Sequence, residues 1–488
     1  MLLGLQNCKH YLSGEALSTV DLYTASPLIA ITVLVLIVLL VEALLKQGHN
    51  LSFWVSVSGL PICAILAVMS YGTPRTAFNQ MLAGGGYASL FAALFVVAAL
   101  LTIILSRDYL RREHAEYGEF YILILFSTLG MMLMAAAADL IITFLGLELM
   151  SVCLYVLAGF TRKRVISNES SLKYFLLGAF ATGFLLYGIA FVYGAAGTTN
   201  IRAIVDNIPA ITASPLLWTG LGLLLVGLAF KVGAVPFHMW IPDVYQGSPT
   251  TVSGFMSTGA KAAAFSAFVI VFAHPQLEQH EQLRTVLAVI SAASMILGNI
   301  VAIAQSNIKR MLAYSSIAHA GYMLTGLAAA NQTGRDGVVF YLIAYTFMNL
   351  GAFGVLSALE QEGERNLTFD DYAGLGTRRP FIAALMSVYM LSLAGIPPFA
   401  GFFGKYYVFA AALQSHMAWL AIVGVLTSVV SVYYYLRLVM VMYFQEGVTS
   451  DANVPSRISL ATLAASAVVV TALGIYPSGI LTIINNLP

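Results

Sequence analysis

Apolar runs of about 20 residues recur along the whole chain, the length a helix needs to span a bilayer core about 30 Å thick. Backbone polar groups inside lipid must be satisfied within their own segment, which favours helices. Only 9% of the 488 residues are charged, against about 25% in a typical soluble domain. The pattern excludes a water-soluble globular protein and predicts an all-α integral membrane protein.

Fourteen of these runs are long enough to be transmembrane helices. The predicted spans are 27–45, 51–71, 82–106, 119–138, 140–160, 171–195, 216–240, 250–273, 282–304, 310–330, 336–358, 380–414, 417–444 and 458–482. The polar stretches between them are only loop-sized. We therefore expect a single transmembrane domain over 1–488.

Charge, cysteine usage and motifs exclude several functional classes. The 23 Lys and Arg nearly balance the 22 Asp and Glu, which gives no reason to expect a nucleic-acid partner. Cys8, Cys63 and Cys153 stand far apart, a spacing typical of packing residues rather than of a disulfide, zinc or iron–sulfur site. The sequence also lacks the common nucleotide, phosphate and catalytic-metal motifs. We expect no cofactor, no metal and no catalytic residue in this chain.

Lys and Arg are unevenly divided between the two sides of the membrane. When loops are assigned alternately, thirteen of them, Lys309 and Arg310 included, fall on one side and five on the other. These residues accumulate in short cytoplasmic loops, so the richer side is predicted to be cytoplasmic. With fourteen spans, both termini then lie outside the cytoplasm.

Five charged residues lie inside predicted spans, namely Glu148, Lys173, Lys231, Lys261 and Lys405. A charge at a helix centre costs roughly 2.5–3.5 kcal/mol on insertion scales, so five of them cost on the order of 10 kcal/mol. Apolar residues would avoid this cost, and the charges therefore predict a function. For Lys173, two residues after the start of its span, snorkelling to the interface is an equal alternative.

Buried lysines can carry protons, because desolvation favours the neutral amine whereas a neighbouring carboxylate favours the ammonium. Glu148 paired with a lysine on an adjacent helix would hold the proton, and loss of the pairing would release it. His319 is a candidate link in such a relay, with Ser315 and Tyr322 as neighbours that could bond the ring or order water. His238 is a further candidate, with a place at the membrane edge as its alternative.

Two spans contain helix breakers. They are Gly233 and Pro236 in the seventh span and Gly395, Pro397 and Pro398 in the twelfth. Proline cannot donate to the carbonyl one turn earlier, so the prolines of the twelfth span free the carbonyls of Leu393 and Ala394. Unwound backbone at membrane depth is tolerated only where protein or a water-filled cavity covers it. Such interrupted segments predict an ion pathway.

The breaks are five spans apart, which predicts two five-helix repeats over spans 4–8 and 9–13. An odd number of helices inverts the second copy. The chain then divides into N-terminal helices (1–118), a first repeat (119–273), a second repeat (282–444) and a C-terminal helix (445–488). In this interpretation Lys231 and Lys405 are counterparts, although one precedes its break and the other follows it.

Three segments resemble the signature sequences of a known family. They are GLAFKVGAVPFHMWIPDVYQGSPT at 227–250, SNIKRMLAYSSIAHAGYM at 306–323 and LSLAGIPPFAGFFGKYYV at 391–408. The chain is similar over essentially its whole length to the antiporter-like membrane subunits of respiratory complex I, the NADH-quinone oxidoreductase. Its length, the lysine at 405 where another type has glutamate, and VYQG at 244–247 favour the N type among these subunits.

The resemblance implies a role for each buried group. Glu148 and Lys173 match the acid and lysine of helices five and six that modulate the pump, and Lys231 matches the lysine paired electrostatically with that acid. Lys261 matches the central lysine of helix eight. His319 matches the histidine of helix ten on the hydrated axis.

Lys405 matches the helix-twelve lysine near the final proton exchange. The resemblance implies an antiporter-like, proton-translocating subunit of an NADH:quinone translocase, driven by quinone reduction elsewhere in the complex. FMN, iron–sulfur clusters and quinone are implied in other subunits. Implied partners are two further antiporter-like subunits, small membrane subunits, the peripheral redox arm indirectly, and lipids, with no nucleic acid. Similarity to bacterial sequences implies the bacterial inner membrane, with both termini periplasmic.

Two alternatives stay open. Subunits of Mrp-type sodium/proton antiporters share much of this framework, although the sequence contains no clear sodium cage. A purely structural membrane subunit would use its polar groups only to hold helices together. The first differs from a complex I subunit in its partners, and the second in what a lysine substitution does to assembly.

Overall fold

The computed structural model describes residues 18–45, 48–72, 75–278, 280–363, 365, 367–447 and 455–486, and most of them are helical. The first elements are α1 (Thr19–Thr24), α2 (Ser26–Leu44), α3 (Gly48–Met69), β1 (Arg75–Ala77), β2 (Leu82–Gly84), α4 (Gly86–Arg112), α5 (Gly118–Ala135), α6 (Leu140–Ala158), α7 (Val165–Ala196), α8 (Ile201–Ile211), α9 (Pro215–Val232) and α10 (Trp240–Gly247). The others are α11 (Thr250–Phe272), α12 (Pro275–Glu278), α13 (Glu281–Ile303), α14 (Ile308–Ala328), α15 (Gln332–Leu359), α16 (Leu375–Arg378), α17 (Pro380–Ala394), α18 (Ala400–Gln414), α19 (Ala418–Phe444), α20 (Arg457–Ile475) and α21 (Pro477–Asn485).

Twelve helices in the described part of the chain are long and apolar enough to cross a membrane. They are α2, α3, α4, α5, α6, α7, α9, α11, α13, α15, α19 and α20. The tenth predicted span corresponds to α14, which has 21 residues, and the twelfth corresponds to α17 and α18 together. The fold is the predicted all-α, multi-pass membrane bundle.

The seventh and twelfth spans are both broken, as predicted. The residue that follows α9 and the residue that follows α17 are glycines in the left-handed region, with φ of +74° at Gly233 and +84° at Gly395. This conformation favours glycine and closes the last helical turn. Pro236 and Pro398 follow three residues later and cannot donate a backbone hydrogen bond, so the helix cannot simply continue.

The two breaks have the same backbone hydrogen bonds. In each, the glycine N–H donates to the carbonyl three residues earlier, and the next N–H donates to the carbonyl five residues earlier. When the two halves are aligned on these hydrogen bonds, Pro236 corresponds to Pro398. In the same alignment Asp243 corresponds to Lys405, and Lys231 corresponds to Leu393. The expectation that Lys231 and Lys405 are counterparts therefore does not hold in this register, because the halves share the break and not the lysine position.

A β-bridge recurs in the two halves. It ties the start of α6 to the segment after α7, and the start of α14 to the segment after α15. The bridges join Asp139 to Asn200 and Asn307 to Thr368. Asp139 and Asn307 are also the N-caps of α6 and α14, where their side chains accept backbone N–H groups. These matched features support a repeat from α5 to α11 and from α13 to α19; the exact domain boundaries stay a prediction.

Small residues bring the first two helices of each half close together. A Cβ on Gly130 of α5 would lie 2.5 Å from the backbone nitrogen of Met150 on α6. A Cβ on Gly298 of α13 would lie 2.6 Å from the backbone nitrogen of Ala318 on α14. Close approach at small residues is the usual way in which membrane helices gain packing energy.

The centre of the bundle contains α11 and α15. In their most apolar windows, 89% and 94% of the residues are buried, against 28% for α2. Helices surrounded by protein can carry polar side chains, since neighbouring helices supply the partners that lipid cannot. Buried polar side chains on these two helices include Ser257 and Lys261 on α11 and Thr346 and Asn349 on α15.

The membrane faces carry small additional elements. The β1–β2 hairpin is antiparallel and pairs Arg75 with Gly84. The amphipathic helix α8 buries Ile204, Val205 and Ile208, in a polar stretch for which the sequence predicts only a loop. Residues 1–17 and 487–488, on which the predicted side of the termini depends, lie outside the described residues.

Candidate functional site

Four predicted relay residues are buried on four different helices. Lys231 on α9 is 5% exposed, Lys261 on α11 is 1%, His319 on α14 is 1% and Lys405 on α18 is 4%. Snorkelling to the interface does not explain charges at this level of burial. Each must be satisfied by groups inside the bundle.

Lys231 is held by two hydroxyl groups of α6. Its Nζ donates to Ser151 Oγ at 2.8 Å and to the Tyr155 hydroxyl at 3.1 Å, and it lies 5.2 Å from the centre of the Tyr155 ring. Glu148, one turn earlier on α6, accepts a hydrogen bond from the Thr182 hydroxyl at 2.8 Å. Among the described residues no ion pair joins Glu148 to Lys231, and the electrostatic pairing of the two stays a prediction. Ser151, which contacts Lys231, lies one turn after Glu148 on α6.

Lys173 lies near the start of α7 and is not buried, with 42% of its side chain exposed. It forms ion pairs with Glu169 at 2.6 Å and with Asp243 at 3.0 Å. The other oxygen of Asp243 accepts from Arg310 at 2.9 Å. Asp243 thus links α7 and α10 of the first half to α14 of the second half, a role that the sequence analysis did not predict.

Lys261 follows a π-helical turn, Met256–Ala260, within α11. Its Nζ donates to the carbonyl and to the hydroxyl of Ser316 on α14, both at 2.5 Å. It also lies 5.9 Å from the centre of the Tyr345 ring on α15. π turns frequently mark functional sites, and this one immediately precedes the lysine that contacts both neighbouring helices.

His319 has a hydroxyl partner at each ring nitrogen. Nδ1 lies 2.8 Å from the Tyr341 hydroxyl and Nε2 lies 3.0 Å from the Tyr435 hydroxyl. The Tyr435 hydroxyl is also hydrogen-bonded to Ser315. In either tautomer the imidazole has one donor and one acceptor, so both contacts can be satisfied. The sequence named His319 and Ser315 but missed the tyrosines, whose only signal was a polar hydroxyl in an apolar run.

Lys405 is bound by the broken end of α17. Its Nζ donates to the carbonyls of Leu393 at 3.1 Å and Ala394 at 2.9 Å, and to Ser428 Oγ at 2.8 Å. These carbonyls are the two that the prolines were predicted to free. The ammonium also lies 4.9 Å from the centre of the Tyr322 ring.

Ring and hydrogen-bond contacts connect Lys261 to Lys405. The Tyr345 ring under Lys261 lies 5.0 Å from the His319 ring, and the His319 ring lies 5.6 Å from the Tyr322 ring under Lys405. Lys231 belongs to a separate group on the α6 side. Among the described residues no hydrogen bond joins the Lys231 group to Lys261.

His238 lies in the unwound link between α9 and α10, half-buried. Its Nδ1 is buried without a hydrogen-bond partner among the described residues. The structure therefore does not bring His238 into the group that contains His319.

Three buried charged residues were not predicted, namely Asp139, which caps α6, and Lys309 and Glu360. Lys309 had been assigned to a loop, but it is 0% exposed and donates to the Ser248 carbonyl at 2.7 Å. Glu360, at the C-terminal end of α15, is also 0% exposed and accepts from the Thr250 hydroxyl at 2.6 Å. Both were missed because hydropathy places the ends of α14 and α15 in polar loops.

A cavity of about 450 Å³ opens between α18 and α19 beside Lys405. Its wall is mostly apolar and includes Phe409 and Val429, with Lys405 and Ser428 as polar members. No group of three or more His, Cys, Asp and Glu residues arranged to hold a metal is found in the described ranges. Cys63 and Cys153 are buried free thiols, and Cys8 lies outside those ranges.

Comparisons with known proteins agree on the type of molecule that this chain resembles. A family model described as NADH:quinone oxidoreductase/Mrp antiporter, transmembrane, matches residues 137–431. NADH-quinone oxidoreductase subunit N of Trichlorobacter lovleyi is 46% identical over 478 residues, which cover 96% of this chain and 97% of that protein.

Solved structures place the fold in the same group. A chain of respiratory complex I from Thermus thermophilus, solved with bound aureothin, is 37% identical, has a TM-score of 0.81 and is matched over 93% of this chain and 98% of its own length. A chain of the Mrp complex from Dietzia is 21% identical, with a TM-score of 0.76 over 96% of this chain and 97% of that one. The second likeness shows the fold alone.

Proposed function

Because the chain belongs to the NADH-quinone oxidoreductase subunit N family, we propose that it is a membrane-arm subunit of that enzyme complex and translocates protons through its buried Glu, Lys and His residues. The observation that carries the proposal is the continuous set of contacts from Lys261 through His319 to Lys405. Groups that cost several kcal/mol to bury and that contact one another across four helices have a function beyond packing.

The proposed mechanism is electrostatic. A change of charge at Glu148 alters the proton affinity of Lys231, and the effect passes to Lys261 and then to Lys405. The Ser151 hydroxyl provides the link on α6, since it contacts Lys231 one turn after Glu148. Each lysine alternates between a neutral amine and an ammonium, and hydroxyl or carbonyl oxygens already accept from the ammonium form.

Between Lys261 and Lys405 the proton passes through the His319 group. Ser316 accepts from Lys261, and the tyrosine hydroxyls on both sides of the imidazole can donate and accept. Lys405 releases the proton to the next acceptor. The carbonyls of α17 stabilise its ammonium without being able to take the proton themselves.

The proposal places the redox chemistry outside this chain. FMN, iron–sulfur clusters and quinone belong to other subunits, and quinone reduction there drives the pump. Two further antiporter-like subunits, small membrane subunits and lipids are the expected neighbours, with the peripheral redox arm contacted indirectly. The complex lies in the bacterial inner membrane, and both termini of this chain lie in the periplasm.

A Lys405→Ala variant separates a relay from a structural role. The relay predicts a complex that assembles normally and whose proton pumping falls by about 100-fold, the scale of a lost proton-transfer group. The measurements are native gel electrophoresis of the detergent-extracted complex and dye quenching in proteoliposomes driven by NADH.

Arg202→Ala is the matched control, because its side chain is 88% exposed and it removes a cation from the same chain. It is expected to assemble and pump as the unmodified complex does. Loss of assembly in proportion to loss of pumping by Lys405→Ala would support the structural alternative instead.

The partners are tested by tagging the chain in its native membrane and identifying what is extracted with it by mass spectrometry. Flavin and iron–sulfur subunits in the same particle are the expected result. A particle of antiporter-like membrane proteins alone would contradict the proposal and support the Mrp-type alternative.

A further inference from the structure

The central helices α11 and α15 face each other through a series of paired residues. Along α11 the residues Thr250, Gly254, Ser257 and Lys261 recur at helical spacing, on one face. Their partners on α15, in the same order, are Glu360, Phe353, Asn349 and Tyr345. The partner numbers fall as those of α11 rise, so the two helices run antiparallel at this contact. Three of the four pairs are polar.

Two of these pairs are joined by short hydrogen bonds. The Thr250 hydroxyl donates to Glu360 Oε2 at 2.6 Å, and Asn349 Nδ2 donates to Ser257 Oγ at 2.7 Å. Between them, a Cβ on Gly254 would lie 3.0 Å from Phe353 Cβ, so the ring packs directly on the glycine. Phe353 therefore forms the apolar contact that separates the two hydrogen-bonded pairs.

The side-chain oxygen of Asn349 accepts no hydrogen bond from the described residues. Its side chain is 0% exposed, and Oδ1 is buried without a hydrogen-bond partner among the described residues. A buried acceptor left unpaired costs about 1–3 kcal/mol, and internal water commonly satisfies such a group. Asn349 therefore marks a position for water one turn of α11 away from Lys261.

Beyond the Glu360 end of the series, the loop after α15 lines a cavity that has several charged residues in its wall. The cavity is about 610 Å³ in volume, and its lining includes Glu113, His114, Glu362 and Gly363. Glu362 and Gly363 lie two and three residues after Glu360, in the loop after α15. The Arg112 guanidinium lies on the same end of α15, where it donates to the Ser357 carbonyl at 2.8 Å. The wall of this cavity thus comes within two residues of the buried Glu360 along the chain.

Glu360 and Lys309 bind the same short turn. Lys309 donates to the Ser248 carbonyl, and Glu360 accepts from the Thr250 hydroxyl, so one buried base and one buried acid flank Pro249. Both lie on the membrane face that the loop charges predict to be cytoplasmic. An acid with 0% exposure at this position is costly for stability alone.

We propose that Glu360 is the group through which Lys261 takes up its proton, by way of water along the α11–α15 contact. Phe353 is the apolar residue that interrupts this water path. This inference rests on the proposed proton-translocating function and adds an uptake route to it. A proton from the bulk solvent reaches the Glu360 carboxylate through water in the cavity and converts it to the neutral acid. The neutral amine of Lys261 then receives that proton through water and becomes the ammonium, which restores the carboxylate.

The test compares four variants of the whole complex in proteoliposomes, with proton uptake measured by a pH-sensitive dye and normalised to NADH oxidation. Glu360→Gln keeps the hydrogen bond from Thr250 but cannot carry a proton, and it is expected to lower pumping about 100-fold. Glu360→Asp restores the carboxylate and is expected to recover most of the pumping. Glu446→Gln, at an exposed acid after α19, is the matched control and is expected to leave pumping unchanged.

The fourth variant, Asn349→Leu, removes the water position and keeps Glu360. It is expected to lower pumping while the complex assembles on a native gel. If Glu360→Gln does not assemble, the Asn349→Leu complex tests the proposal instead. Pumping by that complex at the unmodified rate would overturn the proposal. An assembled Glu360→Gln complex that pumps normally would also overturn it.

A Lys261→Ala variant separates this proposal from the function on which it rests. Lost pumping in Lys261→Ala together with normal pumping in Glu360→Gln would reject only the uptake route. Normal pumping in Lys261→Ala would reject the relay itself.

Discussion

Lys405 is held in the membrane by backbone acceptors that only a broken helix can supply. Intact helices use nearly every carbonyl internally, so an ammonium finds few acceptors on them. The prolines of the twelfth span free the carbonyls of Leu393 and Ala394, and the lysine binds both. The freed carbonyls could be predicted, because the prolines lie within one segment, whereas their contact with Lys405 depends on how α18 packs against the end of α17.

The partners of His319 could not be predicted in the same way. Tyr341 and Tyr435 lie on α15 and α19, and their contact with α14 depends on how the helices pack. Nor does hydropathy distinguish a tyrosine hydroxyl that faces an imidazole from one that faces the interface. The histidine can therefore be predicted from the sequence, whereas its hydrogen-bond partners depend on tertiary packing.

A Tyr435→Phe variant tests the His319 group. It removes the hydroxyl that contacts both His319 Nε2 and Ser315, and an unpaired buried polar group costs about 1–3 kcal/mol. We expect a lower thermal unfolding temperature of the purified complex and slower pumping. Tyr433→Phe, on the same helix with a side chain 60% exposed, is the control. Equal behaviour of the two variants would contradict the assigned contact.

At the scale of the elements, local patterns predicted the two helix breaks and missed the π turn. The breaks need only a glycine in the left-handed region and a proline, both legible in the sequence. The π turn at Met256–Ala260 depends on how α11 packs between its neighbours and leaves no local signature. The buried residues Lys309 and Glu360 were missed for a related reason, since helix ends that look like loops are covered by other helices.

The α5–α6 contact gives an element-scale prediction. A Gly130→Ala variant would place its Cβ 2.5 Å from the Met150 backbone nitrogen, and overpacking of this kind typically costs about 1–3 kcal/mol. We expect a lower unfolding temperature and less assembled complex. Gly183→Ala on α7 is the control, because nothing lies within 4 Å of its added Cβ. A complex with Gly130→Ala that is as stable as the control would show that this contact is looser than described.

At the scale of the whole molecule, the two halves are joined by charge as well as by apolar packing. Asp243 on α10 binds Lys173 on α7 and Arg310 on α14. The spacing of the two breaks predicts the repeat, but it does not predict the ion pairs that join the two halves. In the alignment of the two halves, Asp243 of the first half corresponds to Lys405 of the second, so the two halves carry opposite charges at this position.

An Asp243→Asn variant tests this junction. Loss of the carboxylate breaks the pairs of Asp243 with Lys173 and Arg310, whereas Lys173 keeps its pair with Glu169. Each such partly exposed pair contributes about 0–1 kcal/mol. We expect a modest fall in the unfolding temperature of the complex at low salt that shrinks at high salt, as screening weakens the pairs. Asp206→Asn, in a highly exposed pair with Arg202, should have no effect. A salt-independent loss in Asp243→Asn would point to packing instead.

The central claim is that protons cross the membrane by way of the buried lysines. Lys261 is the direct test, since it is 1% exposed, lies on the central helix α11 and precedes His319 in the proposed path. The measurement is NADH-driven proton uptake by proteoliposomes that contain a fully assembled complex with Lys261→Ala. The account predicts that pumping falls by about 100-fold, and near-normal pumping by that complex would contradict it.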